Sequence, residues 1–353
     1  MRFFIFRPLK NTKKDIRVLT KDELIKFFVK HNISPFRGKQ VYQWLWQKGV
    51  HDFDSMTNLA LAHRELLKSN FEINHIKIDV EQKSKDGTVK NAVKLHDQLV
   101  VESVLIPTAS RSTACVSSQV GCSLDCTFCA TASMKRMRNL NADEIYDQVV
   151  LINQQSLIYH QRPLTNIVFM GMGEPLMNYN NVLASIDKIT DPEGLGMSPK
   201  RITVSTSGIP KIIRKMADDG VRFCLAVSLH SARQELREQI MPFATKFPLD
   251  ELLKSLKHWY ACTKKQITFE YVVWEGINDT KKDIQALVKF CLQVPSKVNL
   301  IQYNPIDYSK LKEAPSHVID DYIKTLKDSR IQVTYRRSRG RDIDAACGQL
   351  ANK

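Results

Sequence analysis

Three cysteines, Cys122, Cys126 and Cys129, are spaced as C-x3-C-x2-C within one short stretch of the chain. Three thiolates on one loop can bind three irons of a [4Fe–4S] cluster and leave the fourth iron open, whereas an electron-transfer cluster usually takes four cysteines. An open iron is what a cluster needs in order to bind a substrate. The spacing therefore predicts one substrate-binding [4Fe–4S] cluster held by these three residues.

A zinc site with Cys115 as the fourth ligand is the alternative interpretation of these thiols. Zinc sites usually combine two C-x2-C pairs separated by a long loop, which is not the spacing here. The chain has eight cysteines in 353 residues, too few for a disulfide scaffold. Their clustering indicates metal or redox chemistry in a reducing, cytoplasmic environment. Cys224, Cys262 and Cys291 lie in apolar patterns and are predicted to be buried core residues.

Four arginines, Arg336, Arg337, Arg339 and Arg341, lie within six residues without an intervening acidic residue. Such a run is typical of phosphate binding, which depends on salt concentration. The whole chain carries a formal net charge of +15. The basic excess favours a polyanionic partner, and nucleic acid before a membrane, since no apolar run approaches the roughly 20 residues of a membrane span.

From residue 114 onward, strand-like and helix-like segments alternate, which indicates an α/β fold with a parallel sheet covered by helices. The predicted strands are 114–119, 166–170, 201–206, 222–229, 266–274, 298–304 and 331–336. Several of them end in Gly, Ser, His or Asn. Polar residues at the carboxyl ends of strands are typical of a barrel or partial barrel that binds ligands at that rim.

Three segments are predicted from composition and pattern. Residues 1–75 form a small helical unit with 14 basic and seven acidic side chains, typical of RNA binding but also of a solvated charged surface. Thr20 and Glu23 have the spacing of a capping box at its first helix. Residues 76–107 form a β-rich connector, with Asp86-Gly87 as a two-residue hairpin turn. Residues 108–353 form the main domain.

The cysteine spacing resembles that of the radical S-adenosylmethionine (SAM) superfamily, and five further motifs resemble its RlmN family of RNA methyltransferases. These motifs are Gly171-Met172-Gly173-Glu174-Pro175, Ser205-Thr206-Ser207-Gly208, Ser228-Leu229-His230, Tyr303-Asn304-Pro305 and residues 342–350. The resemblance keeps the motif order over nearly the whole chain. It implies a partial (β/α)6 barrel, one [4Fe–4S] cluster and two SAM molecules per turnover.

The resemblance also implies roles for individual residues. Cys347 carries the methyl group as S-methylcysteine, Cys115 resolves the covalent intermediate through a transient disulfide with Cys347, and Glu102 accepts a proton. The implied SAM ligands are Gly173, Glu174, Ser205, Ser228, Leu229, His230 and Asn304. Residue type alone leaves structural alternatives open, because Cys347 and Cys115 also suit an apolar core. Glu102 equally suits a solvent-facing strand position, and His230 a structural one at a strand end.

The family resemblance implies methylation of adenine C2 in 23S rRNA at the peptidyl transferase centre and in tRNA at the adenosine 3′ of the anticodon. Because C2 is electron-poor, a radical route is reasonable where polar methyl transfer is closed. Further implied partners are an electron donor such as flavodoxin or ferredoxin and a thiol reductant, with a monomeric enzyme. Two alternatives remain: a Cfr-type enzyme acting at adenine C8, and a non-enzymatic zinc or iron–sulfur RNA-binding protein.

Overall fold

The computed structural model describes residues 13–307 and 309–352, and the chain divides into two compact units. One unit comprises Met1–His75 with Asp191–Gly196, and the other comprises Ile76–Thr190 with Met197–Lys353. The first twelve residues of the predicted helical segment lie outside the described part of the chain.

The smaller unit contains three helices and a short parallel strand pair. The helices are α1 Lys21–Lys30, α2 Phe36–Trp46 and α3 Leu61–Asn70, and the strands are β1 Lys14–Asp15 and β2 Phe71–Glu72. The predicted capping box begins α1, since Thr20 accepts a hydrogen bond from the Glu23 amide and Glu23 accepts one from the Thr20 amide. Helix α3 begins four residues later than the predicted start at Thr57, because the buried Met56 and Leu59 lie in a turn before it.

Helices α1 and α2 approach each other at Gly38. A Cβ atom at this position would lie 2.7 Å from the Ile25 Cα, so only glycine allows the two backbones to come this close. The approach buries Leu24 and Phe28 of α1 and Val41 of α2 completely. Burial of such side chains contributes about 1.5–3 kcal/mol each, which makes this contact the core of the unit.

The larger unit is built on a ten-stranded sheet of order β14-β13-β12-β11-β10-β9-β6-β5-β4-β3. Its strands are β3 Lys77–Lys83, β4 Val89–Lys94, β5 Val100–Pro107, β6 Ser112–Cys115, β9 Asn166–Phe169, β10 Ile202–Thr206, β11 Cys224–Ser228, β12 Ile267–Val272, β13 Ser296–Ile301 and β14 Gln332–Arg336. The strands from β6 to β14 pair in parallel, and β3 to β6 pair in an antiparallel meander. The sheet does not close on itself, so the expected partial barrel is confirmed.

Helices cover the parallel strands, as the alternating pattern predicts. They are α4 Ala142–His160, α5 Tyr179–Thr190, α6 Pro210–Asp218, α7 Gln234–Ile240, α8 Leu249–Thr263, α9 Lys281–Cys291 and α10 Ser316–Asp328. Each contributes an apolar stripe, for example Leu252, Leu256 and Trp259 of α8, all fully buried. Among the described helices none has both the length and the hydropathy needed to cross a membrane.

Two local predictions differ from the structure. The predicted strand 114–119 is interrupted, because β6 ends at Cys115 and a separate strand, β7 Gln119–Val120, pairs with β8 Arg138–Asn139. At the break, the Ser118 and Gln119 amides donate to the Met172 carbonyl, and this turn leads the chain from the sheet to the cysteine loop. The hairpin between β3 and β4 has a longer loop than the predicted two-residue turn, with Gly87 at a φ of 86°.

Candidate active site at the carboxyl ends of the strands

The three clustered cysteines lie on the loop that follows β7. Gly121 begins this loop at a φ of 73°, and a Cβ atom there would lie 2.5 Å from the Lys135 carbonyl oxygen. Glycine is therefore required for the chain to turn so close to a neighbouring backbone. The loop then places Cys122, Cys126 and Cys129 near one another, beside an apolar cluster that includes Leu124, Met241, Phe243 and Trp274.

The chemistry of this donor set fits a [4Fe–4S] cluster. Burial raises the pKa of Cys122 to about 11, and burial together with Cys129 and Cys122 raises the pKa of Cys126 well above its usual range. Burial raises the pKa of Cys129 as well. Three buried thiols lack a compensating positive charge, which bound iron would supply as it displaces their protons. Phe128, between two of the thiols, packs against His230 and Trp274 with ring centroids 4.7 and 5.1 Å away and shields the loop.

Cys115 lies apart from this set. It ends β6 and lines a different cavity from the one that Cys129 lines. A zinc site that uses Cys115 as its fourth ligand is therefore not supported by the arrangement.

A first cavity, about 780 Å³ and partly open to solvent, lies at the carboxyl ends of β9 to β13. Six of the seven predicted SAM ligands line it: Gly173, Glu174, Ser205, Ser228, His230 and Asn304. Cys129 and Cys347 also line it. Leu229 does not: its side chain is fully buried in the core, its amide donates to the Glu270 carbonyl, and its carbonyl accepts from the Ser231 amide. The motif alone does not show which of its side chains face the cavity and which face the core.

The turn after β9 positions Glu174. Gly173 has a φ of 92°, and a Cβ atom there would lie 2.4 Å from the Gln119 Cβ. The Glu174 carboxylate accepts hydrogen bonds from Thr206 Oγ1 at 2.7 Å and from the Ser207 amide at 2.8 Å. Burial raises the pKa of Glu174, and these bonds oppose the rise. An ammonium group bound in the cavity would give the Glu174 carboxylate a positively charged partner.

His230 is held as a neutral imidazole. Its Nδ1 accepts a hydrogen bond from the Val272 amide at 3.2 Å, so the ring proton is on Nε2. Burial lowers the pKa of His230 to about 3, with a smaller contribution from Arg237. The residue has a φ of 55°, which turns the chain sharply after β11. A neutral ring with Nε2–H available can donate to a ligand without adding charge to the cavity.

Three buried oxygen atoms of residues that line the first cavity lack hydrogen-bond partners within residues 13–307 and 309–352. They are Asn304 Oδ1, Glu270 Oε2 and Tyr303 Oη. An unsatisfied buried oxygen costs about 1–3 kcal/mol, so a polar ligand that donates to it is favoured. The donors of the SAM adenine and ribose groups fit this requirement. Sequence analysis missed Glu270, although a carboxylate in an otherwise apolar strand is a detectable feature.

A second cavity brings together the two cysteines of the predicted methyl transfer. Cys115, Arg336 and Cys347 line it, and Cys347 also lines the first cavity. Burial raises the pKa of Cys115 to about 12, and the neighbouring Cys347 raises it further. Cys347 therefore lies between the space lined by the predicted SAM ligands and the space lined by Cys115.

The four arginines that were predicted to bind phosphate lie in different surroundings. Arg336, the last residue of β14, points inward, where Cys347 and then Glu270 raise the pKa of its guanidinium. It is thus part of the site rather than of a surface run, because successive strand residues face opposite sides of the sheet. Arg337 and Arg341 are exposed, and Arg339 donates to the Asp86 carbonyl at 3.1 Å.

Glu102 lines neither of these cavities. It is fully buried on β5, with its carboxylate against Lys90 and the backbone of Ala351 and Asn352. Of the three cysteines predicted to be core residues, Cys291 is buried and Cys224 half-buried. The prediction is wrong for Cys262, which is exposed. Its Sγ lies 3.7 Å from His258 Nε2 on the outer face of α8.

Comparison with known proteins gives matches over both units. Residues 14–73 match the family described as Ribosomal RNA large subunit methyltransferase N-terminal domain, and residues 116–291 match the Radical SAM superfamily. Two similar proteins are each called "Probable dual-specificity RNA methyltransferase RlmN". The one from Christiangramia forsetii is 64% identical and covers 99% of each chain. The one from Flavobacterium johnsoniae is 65% identical, covering 97% of this chain and 98% of the other.

A solved structure extends the similarity to the fold. The crystal structure of a radical SAM methyltransferase from Sphaerobacter thermophilus superposes with a TM-score of 0.91 at 34% identity, covering 96% of this chain and all of the other. The cysteine loop, the cavities and the full-length similarity point to one enzyme class. The chain belongs to the RlmN family of radical SAM RNA methyltransferases.

Proposed function

We propose that this enzyme makes 2-methyladenosine in 23S rRNA at the peptidyl transferase centre and in tRNA at the adenosine 3′ of the anticodon, with Cys347 as the methyl carrier. The observation that carries the proposal is the position of Cys347, which lines both the cavity of the predicted SAM ligands and the cavity of Cys115. A methyl carrier has to meet SAM, the nucleotide and the resolving thiol in turn.

Cys122, Cys126 and Cys129 would hold the [4Fe–4S] cluster, which together with bound SAM supplies one-electron chemistry that removes hydrogen from a methyl group. Glu174 would bind the SAM ammonium, and His230 and Asn304 would bind its adenosine part. Two SAM molecules are used per turnover, one to methylate Cys347 and one for hydrogen removal. The apolar wall formed by Phe128 and Trp274 keeps water from this chemistry.

Cys347 and Cys115 would perform the transfer. The Cys347 sulfur first takes a methyl group, and its carbon then bonds to adenine C2, so that protein and RNA are joined. Loss of the C2 proton to Glu102 and of one electron to the oxidised flavodoxin or ferredoxin restores the adenine ring. Cys115 then attacks the Cys347 sulfur as a thiolate, and a disulfide forms. The carbon keeps the electron pair of the broken carbon–sulfur bond, takes up a proton and stays on the nucleotide as the methyl group. A thiol reductant then restores both thiols, and the flavodoxin or ferredoxin supplies the electron for hydrogen removal.

RNA would be held by exposed basic residues, including Arg337, which lines the second cavity, and Arg341 a few residues further along the chain. A target adenine has to leave its stack to reach Cys347, so loops and flipped bases suit the site. The free thiols and the proposed cluster suit a reducing compartment, which supports a cytoplasmic location. We propose that the enzyme acts as a monomer, as the family resemblance implies.

The test is a reaction of the reconstituted enzyme with transcribed 23S rRNA and tRNA, followed by mass spectrometry of the nucleosides. 2-Methyladenosine is the expected product, and 8-methyladenosine would contradict the proposal in favour of the Cfr-type reaction. Cys115→Ala should leave RNA attached at Cys347 through a thioether that resists denaturant and thiols. Cys262→Ala, at an exposed cysteine outside both cavities, is the control and should turn over normally. A Cys115→Ala enzyme that turns over, or that is inactive without attached RNA, would contradict the resolving role.

A further inference from the structure

Lys90 and Glu102 form a buried ion pair beside the active site. Lys90 lies on β4 and Glu102 on the adjacent β5, with Lys90 Nζ 3.1 Å from Glu102 Oε1 and the two side chains 3% and 0% exposed. Burying two charges costs several kcal/mol unless their remaining hydrogen-bonding capacity is also used. The partners of the second Glu102 oxygen therefore show what the ion pair holds in place.

Glu102 Oε2 binds the backbone of a segment far along the chain. It accepts hydrogen bonds from the Ala351 amide at 2.7 Å and from the Asn352 amide at 3.0 Å, across about 250 residues. The Asn352 side chain adds a bond from Nδ2 to the Val100 carbonyl at 2.8 Å. Bonds of an amide to a charged acceptor are worth about 1.5–3 kcal/mol, roughly twice a neutral bond.

The segment so held, residues 340–352, is here called the strap. At its beginning the Gly340 amide donates to Asp86 Oδ2 at 3.0 Å, and Asp342 accepts from Ser84 Oγ at 2.6 Å. Between these ties and Glu102, the Gly348 carbonyl accepts from the Ala130 amide at 2.6 Å. Cys347 therefore lies on a strap that is tied at the β3–β4 hairpin, at the cysteine loop and at β5.

We propose that Lys90 and Glu102 form a latch that closes the strap and thereby positions Cys347 between the two cavities. Lys90 acts through Glu102, whose carboxylate it holds in position, and both are positioning residues in this role. The inference rests on the proposed function only in taking Cys347 as the methyl carrier. In the latched state Oε2 accepts both strap amides while Oε1 faces Lys90 without a hydrogen bond to the described residues, so proton transfer to Oε2 requires release of the strap.

Two variants separate the latch from proton transfer. Glu102→Ala removes the acceptor of both strap amides. The double variant Lys90→Met with Glu102→Gln replaces the ion pair by neutral side chains of similar size, and its amide oxygen can still accept both bonds. It lacks a carboxylate base. Glu81→Ala is the control, since Glu81 lies on the neighbouring β3 and binds Gln155 and Tyr159 instead of the strap.

The measurements are hydrogen–deuterium exchange of residues 346–352 and the rate of Cys347 alkylation by iodoacetamide, in reconstituted enzyme prepared without SAM. We expect Glu102→Ala to raise both rates about tenfold or more, because two charge-assisted bonds are lost. The double variant should open less than Glu102→Ala but more than the unmodified enzyme, because two neutral bonds of about half the strength replace the charge-assisted ones. Glu81→Ala should match the unmodified enzyme in both measurements.

The outcomes are distinguishable. Unchanged exchange and alkylation in Glu102→Ala would overturn the latch, even if methylation were lost. A double variant with the exchange and alkylation rates of the unmodified enzyme would show that the ion pair does not hold the strap and would also overturn the latch; this variant keeps the test valid if Glu102→Ala does not fold. A double variant whose strap opens only partly but that makes no methylated RNA would support the latch and the separate role of Glu102 as proton acceptor. If another modified nucleoside formed in place of 2-methyladenosine, that result would contradict the proposed function and would leave the latch unaffected.

Discussion

Cys347 has to meet three groups in the proposed reaction: the methyl group of SAM, the adenine ring and the Cys115 sulfur. Its place at the junction of two cavities allows this with little movement of the backbone. The thiols around it differ in chemistry. Three belong to the loop that would hold iron, while Cys115 is buried on a strand and separated from that loop.

Replacing Cys126 by Ala should remove the cluster, since two thiolates hold it poorly. We expect loss of bound iron and sulfide and of 5′-deoxyadenosine production from SAM, measured after anaerobic purification. Cys262→Ala, at an exposed cysteine, should retain the iron content of the unmodified enzyme. Zinc without iron in the unmodified protein would contradict the cluster assignment.

Cys115 should react as a protonated thiol at neutral pH. Burial raises its pKa to about 12, so the thiolate fraction rises about tenfold for each pH unit between 7 and 9.5. The rate of its alkylation in reduced protein, followed by mass spectrometry, should rise in proportion without levelling. Cys262 serves as the internal comparison because it is exposed. A plateau for Cys115 near pH 8 would refute the assigned shift.

At the scale of secondary-structure elements, the turn after β9 decides whether the SAM ligands converge. Gly173→Ala would place a Cβ atom 2.4 Å from the Gln119 Cβ at a φ of 92°. The turn would have to move, and Glu174 with it. We expect SAM binding, measured by equilibrium dialysis, to weaken about tenfold or more, which corresponds to at least about 1.4 kcal/mol.

Gly196→Ala is the matched control for this change. Gly196 also has a positive φ, 64°, but no atom lies within 4 Å of a Cβ atom built there. It shares the conformational cost of a left-handed residue without the steric conflict. SAM binding should be unaffected in this variant. Equal weakening in both variants would show that the loss comes from general destabilisation.

At the scale of the whole molecule, the formal net charge of +15 favours binding to RNA, while local phosphate contacts should set its salt dependence. Arg337 and Arg341 are exposed, and Arg337 lines the second cavity, whereas Arg336 is turned inward. Replacing Arg337 and Arg341 together by Gln should weaken RNA binding. The slope of log affinity against log salt should fall by about two phosphate contacts. The affinity for RNA is measured by electrophoretic or fluorescence titration at several salt concentrations.

The control removes two positive charges from the outer helices. Arg214 on α6 and Lys254 on α8 both bind Glu251 on the surface, so Arg214→Gln with Lys254→Gln changes the net charge equally. This pair should leave the salt slope nearly unchanged, because phosphate contacts rather than total charge set it. The same change in slope for both pairs would contradict a local RNA contact at Arg337 and Arg341.

Features that depend on residues close together in the chain could be predicted from the sequence. The cysteine spacing, the alternation of strands and helices, and the capping box at Thr20 depend on residues close together, whose spacing directly encodes their chemistry or periodicity. The six strands predicted after residue 119 are present with ends that differ by at most three residues. Four of the five family motifs likewise stand at or just after strand ends, and residues of each line the first cavity.

Which distant residues meet was decided only by the tertiary structure. Glu102 binds a segment about 250 residues away because β5 and the strap converge at one edge of the site. Arg336 faces Cys347 rather than solvent, and Leu229 faces the core, because strand register sets the side to which each side chain points. Such pairings depend on strand order and packing, which no local spacing in the sequence encodes.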